Sequence, residues 1–342
     1  MRRLSGLCFL AVCGFVVSGV FAGAAAGAGG IESEPGAGSD GAVSGAATNG
    51  VATARSAGRR PVVRLGVGYM SGYAAYEIGA ELWWPLSRLE FPMNVAVVSA
   101  GVAFGTPRWK SLDFDVSGWA NVTQESGTLK DSDWLPESPV RRVDVYSETD
   151  AELQSYGLQA EGTFRLRPGR AWALGLTGGV LGEWYRWEGR NTVQWSPSGL
   201  SGYAYESPPG VTTITYELLL AGPYGGVTAD YSNGRFELAL GLDVAPLAFI
   251  ADEDDHLARS ILSKTDTIGT LIMVSIDGTW RLKKDWSIRA SGTARFLESG
   301  TGTQESTVYA STDEAAAGTT WKISHEMEMT AGSGLLYVLY EF

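Results

Sequence analysis

Histidine and cysteine are nearly missing from this chain of 342 residues, which holds two of each. Both cysteines, Cys8 and Cys13, fall in the opening stretch MRRLSGLCFLAVCGFVVSGVFA. That stretch begins with Arg2 and Arg3, continues through a short apolar run and ends in Val20-Phe21-Ala22. This is the pattern of an export signal, with cleavage expected after Ala22. The exported chain would then hold no cysteine, which excludes disulfides, thiolate metal sites and a cysteine nucleophile. Long hydrophobic runs are also lacking. No window offers the ~20 apolar residues of a membrane helix. Basic residues are outnumbered, 26 against 38 acids, for a formal charge of −12. Loss of Arg2 and Arg3, with no acid lost, takes −12 to −14. That sign disfavours nucleic acid and favours cationic partners.

Large apolar side chains are scarce in residues 23–60, which are mostly Gly, Ala and Ser. Such a segment buries too little surface to offset its ordering entropy, so it is read as a flexible leader. The three regions expected are a signal peptide at 1–22, a leader at 23–60 and a folded domain at 61–342.

What the folded region does have is period-two alternation. Leu158, Ala160, Gly162, Phe164 and Leu166 share one strand face, and Gln159, Glu161, Thr163 and Arg165 the other. Leu112, Phe114 and Val116 oppose Asp113, Asp115 and Ser117, and the stretch 286–296 repeats the pattern. Alternation alone also suits a soluble sandwich. Three features favour a transmembrane barrel. The strands are long enough for a tilted crossing of ~9–11 residues. The 12 Trp and 14 Tyr suit aromatic girdles. The chain ends LLYVLYEF, an alternating strand with a terminal aromatic, which resembles the assembly signal of bacterial outer-membrane barrels.

Connections alternate in length. Tight reversals are expected near 105–108, 167–170, 231–235 and 283–285, where Gly, Pro and Asn-Gly occur. Longer polar connections are expected near 74–87, 120–150, 188–211, 251–266 and 298–325. Four tight turns and five long connections make ten strands, giving an all-β, antiparallel, up-and-down transmembrane barrel. The long loops share the outer rim of the bacterial outer membrane.

Two of those connections are acidic. LKDSDW places Asp131 and Asp133 two apart, and ADEDDH places Asp252, Asp254 and His256 two apart. Taken alone, each pattern fits a solvated loop, a hard-cation site or a catalytic pair. A small pore is a further possibility, though ten strands leave a lumen that side chains fill.

Several stretches together resemble the omptins, outer-membrane proteases on ten-stranded barrels. They are LGVGYMSGYAAYEI (65–78), SRLEF (87–91), VSGWANVTQESGTLKDSDW (116–134), GPYGGV (222–227), ADEDDH (251–256) and the last strand. The resemblance implies an endopeptidase in which a water between an Asp-His pair and an Asp pair attacks the peptide. Asp254 and His256 match the first pair, and Asp131 and Asp133 the second. Histidine near its ordinary pKa of ~6.5 can act as base, oriented by the carboxylate. Neither metal nor cofactor is implied.

The family prefers basic residues at the cleavage point. Asp252 matches one acid of that pocket, whereas Tyr76 stands where the other is expected, with Glu77 beside it. A one-residue displacement turns a side chain to the other face. The resemblance also implies activation by lipopolysaccharide on the outer wall, for which Glu183 and Arg186 are candidates, although snorkelling explains them equally. His325 is read as an interfacial or loop residue. The alternative to a protease is a silent barrel whose acidic loops bind cations or host proteins.

Overall fold

The computed structural model describes residues 60–79, 86–106, 111–134, 142–166, 171–312 and 315–342. The expected signal peptide and nearly all of the leader lie outside the described residues, as does the reversal at 167–170. Fourteen strands form one sheet: β1 (Val62–Ile78), β2 (Ser87–Pro92), β3 (Val95–Gly105), β4 (Leu112–Asn121), β5 (Glu125–Trp134), β6 (Val143–Leu166), β7 (Trp172–Trp195), β8 (Ala204–Glu206), β9 (Thr212–Ser232), β10 (Phe236–His256), β11 (Ile261–Arg281), β12 (Trp286–Ser299), β13 (Gly302–Val308) and β14 (Thr320–Glu341). All pairings are antiparallel.

β2 continues into β3, β4 into β5 and β12 into β13, so the wall has ten staves, with β8 an extra ribbon on β7. β14 pairs with β1 over the full length of β1, from Val62↔Glu341 to Ile78↔His325, and this closes the ring. Among the described residues closure leaves the ten staves no free edge, which a lipid environment demands, and the one-sided ribbon β8 lies outside that ring.

The alternation runs inside out relative to a soluble protein. Leu65, Val67, Leu158, Phe164, Leu174, Leu240 and Leu336 are exposed on the outer wall. Their polar neighbours pair inside. Arg165 Nε donates to Asp113 Oδ2 at 2.6 Å, and Arg64 and Arg295 pair with Asp115 and Glu183. Among the described residues no helix is long and apolar enough to cross a membrane, and the strands take that role.

The long polar connections of the sequence reading are mostly strand. β6 and β7 are 24 residues each, about 80 Å at ~3.3 Å per residue. A crossing takes ~9–11 residues, so more than half of each strand stands clear of the membrane. The connection expected over 251–266 shrinks to residues 257–260, with Ser260 in the left-handed region at φ 55°. β5 and β6 occupy most of 120–150, and residues 135–141 there lie outside the described residues. The polar composition was read as solvent-facing, yet part of it is buried, as at Ser126, Asp144, Ser147 and Ser263. It did not mean loop, because paired strands satisfy their own backbone groups wherever they are.

A cavity of about 380 Å³ occupies the lower lumen, among Arg64, Asp115, Glu161, Arg165, Asp243 and Arg295. Above it the lumen is filled by apolar and aromatic side chains, including Phe91, Leu153, Trp187, Leu218 and Ile250. These buried groups form the floor of the upper barrel.

Candidate active site

Two irregularities decide which side chains face inward above that floor. In β10 the inward set is odd-numbered at Asp243 and Ala245, both buried. The ladder to β11 then shifts between Ala245 and Ala248, so Pro246 and Leu247 oppose one residue. Beyond this bulge the inward set is even: Ala248, Ile250, Asp252, Asp254 and His256. Proline, which has no N–H to give a ladder, fits at such a place. Without the extra residue the acids and the histidine would face outward. A second shift, between Glu125 and Gly127, precedes the inward set Leu129, Asp131 and Asp133 of β5.

Asp254 is 1% exposed. Its Oδ2 lies 3.0 Å from His256 Nε2 and also accepts a hydrogen bond from the Tyr76 hydroxyl. Nδ1 is therefore the ring nitrogen not committed to Asp254. Asp131 lies opposite Leu89 of β2 and Ser147 of β6, and its Oδ1 accepts from Ser87 Oγ at 3.2 Å. Burial, then the charge of Asp133, pushes Asp131 up to about 7, against the opposing pull of His256. Burial also raises Asp133, against a hydrogen bond from Ser87 and the charges of Arg259 and His256.

Burial by itself would depress His256, but the charge and hydrogen bond of Asp254, helped by Asp131, push it up to about 9. The sequence reading expected a histidine near 6.5. The resting site instead holds an imidazolium, because burial brings the charges of both Asp254 and Asp131 to bear on the ring. The mutual effects of Asp131 and His256 put them within electrostatic reach over one cleft.

The remaining candidates divide. Tyr76 is 2% exposed and packs its ring on His325 and Tyr216, with centroids 5.0 and 5.5 Å away. Asp252 is buried, its Oδ2 3.6 Å from His325 Nε2, and burial raises it well above the usual carboxylate range. Glu77 does not join the cleft. It lies on the opposite face of β1 from Tyr76 and pairs with Arg88 at 2.9 Å, because no bulge intervenes to turn it inward.

His325 is neither interfacial nor in a loop. It lies in β14, fully buried, and burial lowers it to about 4, so it is neutral. Glu183 faces the lumen and pairs with Arg295, so it cannot touch lipid, whereas Arg186 stands on the opposite face and pairs with Glu217 at 2.9 Å. Sequence reasoning missed the Tyr76–Asp254 bond and the Ser87 hydroxyl. Strand parity put Tyr76 inward, but no pattern in β1 points to a partner 178 residues away.

The omptin family model matches residues 60–339. The chain belongs to the omptin family. It is 23% identical over 202 residues to the plasminogen activator of Yersinia pestis, covering 56% of this chain and 61% of that protein. It is 25% identical over 182 residues to the outer membrane protease IcsP of Shigella flexneri, covering 51% and 56% respectively. The aligned part thus spans about three fifths of these curated relatives. The crystal structure of outer membrane protease OmpT from Escherichia coli aligns with a TM-score of 0.71 at 17% identity, covering 83% of this chain and 97% of that one. Fold and family together make this omptin an outer-membrane β-barrel of bacterial origin.

Proposed function

We propose that the protein is an outer-membrane endopeptidase whose cleft opens to the cell exterior. One observation carries this reading: His256 bonded to Asp254 stands in electrostatic contact with the Asp131–Asp133 pair above a sealed aromatic floor. A water held between the two pairs would attack the peptide carbonyl. His256 takes the water's proton while Asp254 stabilises the imidazolium. Asp131 helps orient the water, and Asp133 supports it electrostatically. In the reactive form the proton that rests on His256 sits instead on the Asp131–Asp133 pair, where two close carboxylates resist full ionisation. That proton can be given to the developing oxyanion or the leaving amine.

Substrates in this reading are surface-reaching peptides and proteins of cationic character, drawn by the net negative charge. A preference for a basic residue at the cleavage point gains little support from Asp252, which is covered and whose charged form burial disfavours. Lipopolysaccharide is the proposed activator. Arg186 is the wall residue placed to meet its phosphates, at the expense of the pairing with Glu217.

The test is cleavage of a cationic fluorogenic peptide by protein refolded with lipopolysaccharide. His256→Ala and Asp131→Ala should each lower kcat/KM by about 10²–10⁴. Turnover that survives both substitutions would overturn the mechanism. Absence of turnover in the unsubstituted chain favours the second reading, a silent barrel used for adhesion. Its motive is Tyr76, which fills the place where the family resemblance expects an acid.

A further inference from the structure

We propose that Tyr76 is a positioning residue for the catalytic pair, its hydroxyl holding Asp254 in line with His256. The inference rests on the peptidase reading for its kinetic arm alone. Asp254 Oδ2 is shared: the Tyr76 hydroxyl donates to it from β1, and His256 Nε2 lies 3.0 Å away on β10. Asp254 Oδ1 is buried with no partner. The carboxylate is therefore anchored at one oxygen, and Tyr76 is the anchor that does not itself react.

The phenol is well placed for this. Its ring is wedged between His325 and Tyr216 and also meets Phe91 at 5.9 Å. Burial and the charge of Asp254 raise its hydroxyl well above the ordinary tyrosine value, so it remains a donor throughout the working range. A rigid donor on a strand wall fixes the rotamer of an acid whose other oxygen is free.

The surroundings let the effect be read cleanly. The groups facing the pair are Tyr76 from β1, Asp131 and Asp133 from β5, Tyr216 from β9, Asp252 from β10, Arg259 from the turn and His325 from β14, with Asp255 adjacent in sequence on the opposite face of β10. Burial raises Tyr216 and Asp252 well above their ordinary values and lowers His325 to about 4. Within the cleft, the groups brought into the neutral-to-alkaline range are Asp131, at about 7, and His256, at about 9.

Removing the hydroxyl concentrates the charge of Asp254 on its bond to His256. The imidazolium becomes more stable while the carboxylate is less firmly aimed. The test is an NMR titration of histidine-labelled Tyr76→Phe in detergent with lipopolysaccharide, with the signal assigned by His256→Ala, alongside peptide kinetics. The expected result is an upward shift of the His256 midpoint by roughly half a pH unit. kcat should fall about 10-fold with KM held within about twofold.

Tyr216→Phe is the control, since the Tyr216 hydroxyl has no partner in the same aromatic stack. Its His256 midpoint should match the unsubstituted protein. An unchanged midpoint in Tyr76→Phe overturns the proposal, and so does a loss of kcat without a shift, which would mark a packing role. An unsubstituted chain without turnover defeats the peptidase reading instead. The titration then still decides whether the phenol governs the pair.

Discussion

His256 and Asp131 exchange influence across the cleft, and this has a consequence for pH. Asp131 is pushed up to about 7 and His256 up to about 9. Between these values the two groups hold one proton. The reactive form needs that same count, with the base free and the acid protonated. Below about 7 both are protonated and the base is blocked. Above about 9 both are bare and no proton remains to donate. The expected profile of kcat/KM is a bell with limbs near those values, which belong to the cluster as a whole rather than to single residues. Initial rates from pH 5 to 10.5 check it, and a profile centred near pH 6 would contradict the assignment. Glu77 and Tyr76 make the complementary point. They are adjacent, yet one is tied to Arg88 outside the cleft and the other to Asp254 within it.

The β10 strand shows how much one inserted residue decides. Its bulge at Pro246–Leu247 turns the inward face from odd to even. Deleting Leu247 should restore regular pairing and rotate Asp252, Asp254 and His256 to the outer wall. The deletion should still give a heat-modifiable barrel in detergent but lower peptide cleavage at least as far as His256→Ala does. Cleavage retained at more than a tenth of the original rate would show that the bulge does not set the face. The spacing of two between Asp131 and Asp133, and between Asp254 and His256, was legible in the sequence as a shared strand face. The strands themselves were not, because their acidic, Ser-rich ends have the composition of loops. Part of their pairing comes from neighbours distant in sequence, such as Asp131↔Leu89 and Asp254↔Tyr216.

At the scale of the whole barrel, closure of β1 on β14 sets both the membrane band and the interior. Inside, Glu183 is 4% exposed and paired with Arg295. Removing the cation leaves a buried, uncompensated carboxylate. Arg295→Ala should therefore cost about 3–5 kcal/mol, and the double substitution Glu183→Gln with Arg295→Met should recover most of it. Urea unfolding in detergent micelles, followed by tryptophan emission, measures both. A single variant as stable as the parent would show that the lumen is wet enough to solvate the charge.

The sequence by itself determined the class of the fold, the number of staves and the inward parity of each short stretch, because alternation and turn chemistry are local properties. The spacing alone left a solvated loop or a cation site open, and it was the resemblance to the omptins that named the four residues of the proposed catalytic centre. The tertiary structure alone decided which acids carry charge and which histidine does. Burial disfavours the charged forms of Asp252 and His325, while Asp254 holds an imidazolium. Ionisation depends on burial and on charges brought together from strands more than a hundred residues apart, and neither quantity is written in any local pattern.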